Sequence, residues 1–121
     1  MYSYKLKYKK NNIFGYLNFV LPDNPRTCSE VRAYCEVNSK EKFLSKGLGI
    51  FGVFLQCREK AEKEGIQIIC AGSREDAWGS GAYSNTGYSV MVTLYDENEA
   101  VVDVFSECED DLAVTVEQQK R

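Results

Sequence analysis

The sequence predicts a single α+β domain in which a largely antiparallel sheet packs against one main amphipathic helix. The chain has 121 residues, the usual size of one domain with one core, and 44% of them are hydrophobic. Alternating apolar and polar residues, the pattern of strands, recur towards both ends of the chain. Residues 51–64 between them have helical periodicity, and no linker or repeat divides residues 1–121.

The first third of the chain predicts three strands. Residues 2–9 alternate between apolar or aromatic and polar side chains, as in a strand with one wet face. Asn11 and Asn12 form a turn signal, and residues 13–21 read as a second strand in which Gly15 is a candidate bulge. Residues 31–37 alternate again and predict a third strand, although this segment also has helix propensity.

Helical patterns dominate the middle of the chain. A short helix is expected over residues 40–46, capped at residue 38 or 39. The main helix follows with an apolar stripe over residues 51–61, and Arg58 is assigned to its charged outer face. Gly65 stands where the helix should end.

The second half of the chain reads mainly as strands and turns. The expected elements are a buried strand over residues 66–70, a loop over 71–87, strands over 88–95 and 100–106 joined by a turn at 96–99, and a terminal strand over 112–116.

Composition excludes several classes of function. The chain contains no histidine, which removes Ser/His and Cys/His nucleophile pairs and His-ligated zinc. Its net charge of -3 disfavours general binding to nucleic acid or to an anionic membrane. We therefore expect no catalytic residue, no metal site and no cofactor, and a protein that is not an enzyme.

Cysteine usage and hydropathy bear on the compartment. Five cysteines are an odd number, and no pair has the C-x-x-C spacing of a zinc or redox site. We expect reduced, mostly buried thiols in a cytoplasmic protein. No stretch approaches the length of a membrane span.

Charge is divided along the chain. Residues 1–47 contain nine basic and four acidic side chains, whereas residues 48–121 contain six basic and fourteen acidic ones. Nine of the acids and no base fall within residues 96–117. This block is either a solvated edge compensated by the basic N-terminal strands, or a surface for a cationic partner.

The segment 72–81 gathers an arginine, two carboxylates, the only tryptophan and three glycines between two apolar strands. Tryptophan and arginine are enriched among interface hot spots, so the segment is a candidate contact surface. Alternatively, Arg74 pairs with Glu75 or Asp76 while Trp78 covers the core. The full set of candidate partner-binding residues is Arg74, Glu75, Asp76, Trp78, Asp96, Glu97, Glu99, Glu107, Glu109 and Asp110.

Two other kinds of ligand remain as alternatives. Gly47, Gly49 and Gly52 match G-x-G-x-x-G before a helix, which with the loop over residues 72–81 could bind a nucleotide or another small molecule. The expected helix before this motif disagrees with a dinucleotide fold. Aromatic residues between the N-terminal lysines could stack on nucleic acid, but the acidic balance of the chain disfavours this. A second copy of this chain, in a homodimer, is a further alternative partner.

The order of these features resembles that of small bacterial immunity proteins of contact-dependent or polymorphic toxin systems. The likeness spans residues 53–105 and includes the strand end at residues 68–74, the acidic-Trp-Gly-Ser-Gly segment and the hairpin after it. It implies a non-enzymatic inhibitor that masks the active site of a cognate toxin. The acidic block suits a basic toxin domain as the partner.

Overall fold

The computed structural model describes residues 2–22, 30–38, 41–47, 49–79, 91–94 and 100–119. The first elements along the chain are β1 (Tyr2–Lys10), β2 (Ile13–Leu21), β3 (Val31–Val37), β4 (Glu41–Gly47), α1 (Ile50–Lys63) and β5 (Gln67–Ile69). The five strands form a curled antiparallel sheet in the order β4-β3-β2-β1-β5, with α1 packed against it.

A second, three-stranded antiparallel sheet follows in the order β6-β7-β8. The later elements are a 3-10 turn (Ala71–Ser73), β6 (Ala77–Gly79), β7 (Met91–Leu94), β8 (Ala100–Asp103), a 3-10 turn (Asp110–Leu112) and α2 (Val116–Gln119). Ala77, Leu94 and Val104 belong to the same buried cluster as the residues of the larger sheet. The predicted single α+β domain with one main helix on one face of the sheet is therefore confirmed.

The β1-β2 hairpin forms as the sequence predicts. Lys10 pairs with Ile13 across a two-residue turn in which Asn11 and Asn12 have φ of 52° and 63°. Asparagine tolerates this left-handed conformation, which matches the twist of a hairpin. The predicted bulge at Gly15 is wrong, because the register runs without a break from one end of the hairpin to the other.

Gly15 instead makes room for an aromatic ring. It pairs with Tyr8, and a Cβ at position 15 would lie 2.8 Å from Cζ of the Tyr8 ring. A side chain at position 15 would have to displace that ring.

Strand alternation divides the larger sheet into two faces. Leu6, Leu17 and Phe19 point inward to the core, where Phe19 meets Phe54 of α1 edge to face. The opposite face, which we call the outer face, is wet and basic. It carries Lys5, Lys7, Lys9, Phe14, Tyr16, Asn18, Arg32, Tyr34, Leu44 and Lys46, together with the acidic Glu36 and the buried Val20.

The short helix expected over residues 40–46 is wrong. These residues form most of β4, which pairs with β3 along its whole length, from Val31 with Gly47 to Val37 with Glu41. Asn38 leaves β3 with a φ of 54°, which opens the connection to β4. Cross-strand pairing outweighs the helix propensity of this polar segment.

Helix α1 begins and ends as predicted. Gly49 is its N-cap, and Gly65 follows its end with a φ of +78°. Ile66 N donates to Ala61 O and Gly65 N to Glu62 O, the two hydrogen bonds of a Schellman motif. The assignment of Arg58 to the outer face is wrong: this residue is fully buried.

Only part of the second half can be compared with its prediction. The cores of the strands expected over residues 66–70, 88–95 and 100–106 are confirmed, whereas the turn at 96–99 lies outside the described residues. The expected terminal strand is wrong. Residues 112–116 instead contain the end of a 3-10 turn, a single bridge from Ala113 to Arg74 and the start of α2.

We predict that Phe54→Ala lowers the free energy of unfolding by about 3–5 kcal/mol, as is usual for a buried phenylalanine. Phe54 is fully buried and packs edge to face against Phe19 and Phe105. Urea denaturation measures the change. The matched control is Phe14→Ala: Phe14 is 49% exposed, and we expect a loss below about 1 kcal/mol. Equal losses in the two variants would contradict the assignment of the core.

Candidate functional site

Two of the three charged side chains at residues 74–76 are buried in the protein. Arg74 follows the first 3-10 turn, and Asp76 comes directly before β6. Arg74 Nε donates to Asp76 Oδ1 at 2.8 Å, and Nη2 donates to Oδ2 at 2.9 Å. These residues are only 8% and 9% exposed, whereas Glu75 between them is exposed. The pair orders the chain at the entrance to β6, and it offers little area to a partner.

The remaining candidate residues fall into two groups. The side chain of Trp78 and the residues Asp96, Glu97 and Glu99 lie outside the described part of the structure. The Trp78 backbone pairs with Thr93 in the smaller sheet. The other three candidates, Glu107, Glu109 and Asp110, lie on the surface after β8.

Residues 107–111 form what we call the acidic segment. Glu107, Glu109, Asp110 and Asp111 are all exposed, and four carboxylates fall within five residues. The 3-10 turn Asp110–Leu112 gives the second half of this segment its shape, with Leu112 N donating to Glu109 O at 3.0 Å.

The acidic segment is attached to the core on both sides. Before it, Ala71 N donates to Ser106 O at 2.7 Å, and the Phe105 ring stacks on Tyr4 with centroids 4.2 Å apart. After it, Val114 N donates to Ser73 O at 2.8 Å. Because short anchors flank it, the segment holds its carboxylates in place without help from a partner.

The basic outer face reaches the acidic segment at one point. Lys7 Nζ donates to Asp110 Oδ1 at 2.8 Å, and this hydrogen bond raises the pKa of Lys7. Both side chains are exposed, so the pair adds little to stability. Among the described residues, Glu107, Glu109 and Asp111 form no ion pair. The basic strand therefore forms an ion pair with one of the four carboxylates, and Lys7 also has a weaker Coulombic interaction with Glu107.

Arg58 of α1 binds the chain that follows the acidic segment. Arg58 Nη2 donates to Val114 O at 2.7 Å, and Nη1 donates to Gln119 Oε1 at 2.5 Å and to Gly72 O at 3.3 Å. Gln119 Nε2 in turn donates to the carbonyls of Gly72 and Arg74, at 2.8 Å each. These contacts join α1, the first 3-10 turn and α2 into one buried network, which we call the Arg58 network.

A second contact from α1 reinforces this attachment. Val116 N donates to Glu62 Oε1 at 2.9 Å at the start of α2. Glu62 lies one helical turn after Arg58, with Oε2 3.8 Å from Arg58 Nη2. Burial raises the pKa of Glu62, while the Val116 amide and Arg58 oppose the rise.

The sequence contains a signal for the Arg58 network. Arg58 lies four residues after Phe54 and three before Ala61, on the apolar stripe of α1. A charged residue in that position is either exposed at the edge of the stripe or buried with partners. The helical pattern alone does not distinguish these outcomes, because the partners lie near residues 72 and 114–119.

The described cysteines are free thiols. Cys35, Cys57 and Cys70 are buried, and Cys108 is half-buried in the acidic segment. A hydrogen bond with Cys57, together with burial, raises the pKa of Cys35. Burial, with the nearby Cys70, raises the pKa of Cys108 to about 11. Cys35 and Cys108 therefore stay protonated at neutral pH and are poor nucleophiles there, whereas the hydrogen bond with Cys35 lowers the pKa of Cys57.

The glycine motif is placed differently from a dinucleotide fingerprint. A strand does precede it, but β4 is an edge strand paired antiparallel with β3. Gly47 and Gly72 are close-packed: a Cβ at Gly47 would lie 3.2 Å from Val53 Cγ2, and one at Gly72 would lie 2.8 Å from Val104 Cγ1. The packing of α1 and of the second sheet accounts for these two glycines.

The described residues show neither a grouped metal-binding set nor a membrane helix. No three His, Cys, Asp or Glu side chains among them come together around a common point. None of their helices combines the length and the apolar character needed to cross a bilayer.

Comparison with known proteins adds no relative. No protein-family model matches the sequence, and no curated protein matches it significantly.

We predict that Arg58→Met destabilises the protein by about 3–5 kcal/mol, because several buried acceptors and Glu62 lose their donor together. In hydrogen exchange, the Val114 and Val116 amides should lose more protection than those of β2. Lys63→Met is the control, since Lys63 is exposed on the same helix. A loss equal to that of the control would contradict the role of the Arg58 network.

We also predict an unusual pH dependence for Cys108. Since the thiolate is the reacting form, alkylation by iodoacetamide should rise about tenfold per pH unit up to about pH 10. Peptide mass mapping identifies the modified site. In urea, the alkylation rate of the same cysteine should level off near the ordinary thiol pKa of about 8.5. A plateau near pH 9 in the folded protein would contradict the raised pKa.

Proposed function

We propose that this chain is a non-catalytic binding protein of the immunity type, which masks a functional surface of a basic toxin domain. The contact surface is the acidic segment, with Glu75 as a further exposed carboxylate of the candidate set. The carrying observation is that Glu107, Glu109 and Asp111 are exposed and lack an ion pair among the described residues, although lysines lie on the neighbouring strand.

Electrostatics supports a partner of opposite charge. Carboxylates held close together repel one another and cost folding free energy. Such a cluster attracts a cationic surface over several ångströms and so accelerates association. A basic partner would replace repulsion among these carboxylates with attraction.

The attachment of the segment supports binding by a preformed surface. The hydrogen bonds from Ala71 and Val114, and the Arg58 network behind them, fix both ends of the segment to the core. A partner would therefore not have to order this stretch on binding, which avoids a large entropic cost. Arg74 and Asp76 contribute by holding the adjacent chain, rather than by contact.

Co-expression tests this proposal. The reading frame beside the gene is expressed alone in a bacterial host, and then together with this chain. We expect the first product to stop growth, and this chain to restore growth and copurify with the product. The association rate should fall with rising salt, as for a steered complex. A harmless neighbouring product, or no complex, would refute the proposal.

Charge reversal tests the surface itself. We predict that the triple variant Glu107→Lys, Glu109→Lys, Asp111→Lys slows association at least tenfold, because attraction becomes repulsion. The matched control is Glu30→Lys, Glu64→Lys, Glu117→Lys, which changes the net charge equally at exposed positions on other elements. Stopped-flow mixing measures both rates. Equal slowing in the two variants would show that only net charge matters.

A further inference from the structure

A separate cleft lies at the β4 edge of the larger sheet. Strands β3 and β4 and the second half of α1 surround about 790 Å³, a volume typical of small-molecule sites. Arg32, Tyr34, Leu44 and Lys46 line it from the outer face of the sheet, and Lys60 lines it from α1. This cleft is on other elements than the acidic segment, and the proposed function does not use it.

The charged residues that line the cleft in the described part of the chain are all positive. They are Arg32, Lys46 and Lys60. Arg32 and Lys46 are directly opposite each other in the β3-β4 register, and neither has an ion pair among the described residues. Like charges opposite each other on neighbouring strands are destabilising. This arrangement therefore costs folding free energy, and no described contact of the two side chains offsets the cost. A bound anion would explain why the two cations are placed together.

The third cation is held by the fold. Lys60 of α1 donates its ammonium to the carbonyl of Leu44 on β4. Its charge is therefore fixed beside the edge strand, where it can face the same ligand as Lys46.

The rest of the lining is apolar. Tyr34 and Leu44 are paired across β3 and β4 on the outer face, and Leu44 is 63% exposed. An aromatic ring and an aliphatic side chain beside fixed cations suit a flat apolar group that carries a negative charge.

We propose that this cleft binds a small aromatic anion, a planar ring bearing a phosphate or carboxylate. Arg32 and Lys46 hold the anionic group, and Tyr34 and Leu44 cover the ring. Anion binding relieves the repulsion between the two opposed cations, so the site binds the anion more tightly than two isolated surface cations would.

The test uses 1-naphthyl phosphate as the probe, with inorganic phosphate and 1-naphthol as its two halves. In calorimetric titrations of the full chain, we expect naphthyl phosphate to bind at least tenfold more tightly than either half. Amide NMR shifts should move at Tyr34, Ser45 and Gln56 and stay unchanged at Lys7. A carboxylate probe, 1-naphthoate, distinguishes the two headgroups.

Variants locate the site. Arg32→Gln and Lys46→Gln should each weaken the binding of naphthyl phosphate at least tenfold. Leu44→Ser should weaken the binding of naphthyl phosphate but not that of inorganic phosphate. Lys9→Gln and Lys63→Gln change the net charge equally outside the cleft and should leave binding unchanged. Urea denaturation should show that Lys46→Gln is at least as stable as the original chain, which separates lost binding from lost folding.

Three results would overturn the proposal. One is no binding of either aromatic anion at millimolar concentration. Another is phosphate alone binding as tightly as naphthyl phosphate, which would mean a nonspecific cation patch. The last is an equal loss of affinity in the cleft variants and the Lys9 and Lys63 controls.

Discussion

The burial of Arg58 is the constraint on which the described surface depends. A guanidinium that is removed from water needs hydrogen-bond acceptors, since an unpaired buried charge is far too costly. Both Nη atoms of Arg58 have acceptors, whereas its Nε has none among the described residues. The core residues around α1 are apolar, so the acceptors have to come from elsewhere in the chain. They come from Gly72, Val114 and Gln119, which obliges the end of the described chain to return across the helix. The acidic segment lies immediately before that return, and its position follows from it.

The strands of the larger sheet could be predicted because the sequence alternates where one face is wet. That reasoning failed for β4, where Lys42, Ser45 and Lys46 weaken the alternation and the pairing with β3 decides the structure. It failed for residues 112–116 for a different reason. There the backbone acceptors bind side chains, Arg58 to Val114 O and Gln67 to Ala113 O, so no second strand is needed. Local sequence does not reveal partners that lie more than forty residues away.

The residue types of the candidate surface could be predicted from the sequence, but their arrangement could not. The acidic block and the charged segment at residues 74–76 are both evident from the sequence. How each carboxylate is used depends on its pairing: Asp76 turns inward to Arg74, Asp110 forms an exposed ion pair with Lys7, and Glu107 is exposed without an ion pair among the described residues. Residues of the same type thus have different roles, because a buried bidentate pair and an exposed ion pair differ greatly in strength.

Two sites of opposite sign can coexist on so small a protein because the sheet separates them. The acidic segment meets the sheet at β1, whereas the cationic cleft lies on β3 and β4, two and three strand positions away in the order β4-β3-β2-β1-β5. At about 4.8 Å per strand this is about 10–14 Å, measured across the sheet. The Debye length at physiological salt is about 8 Å, so exposed charges at the two sites interact only weakly. Neither site therefore has to neutralise the other, and each can keep its own charge for a ligand of opposite sign.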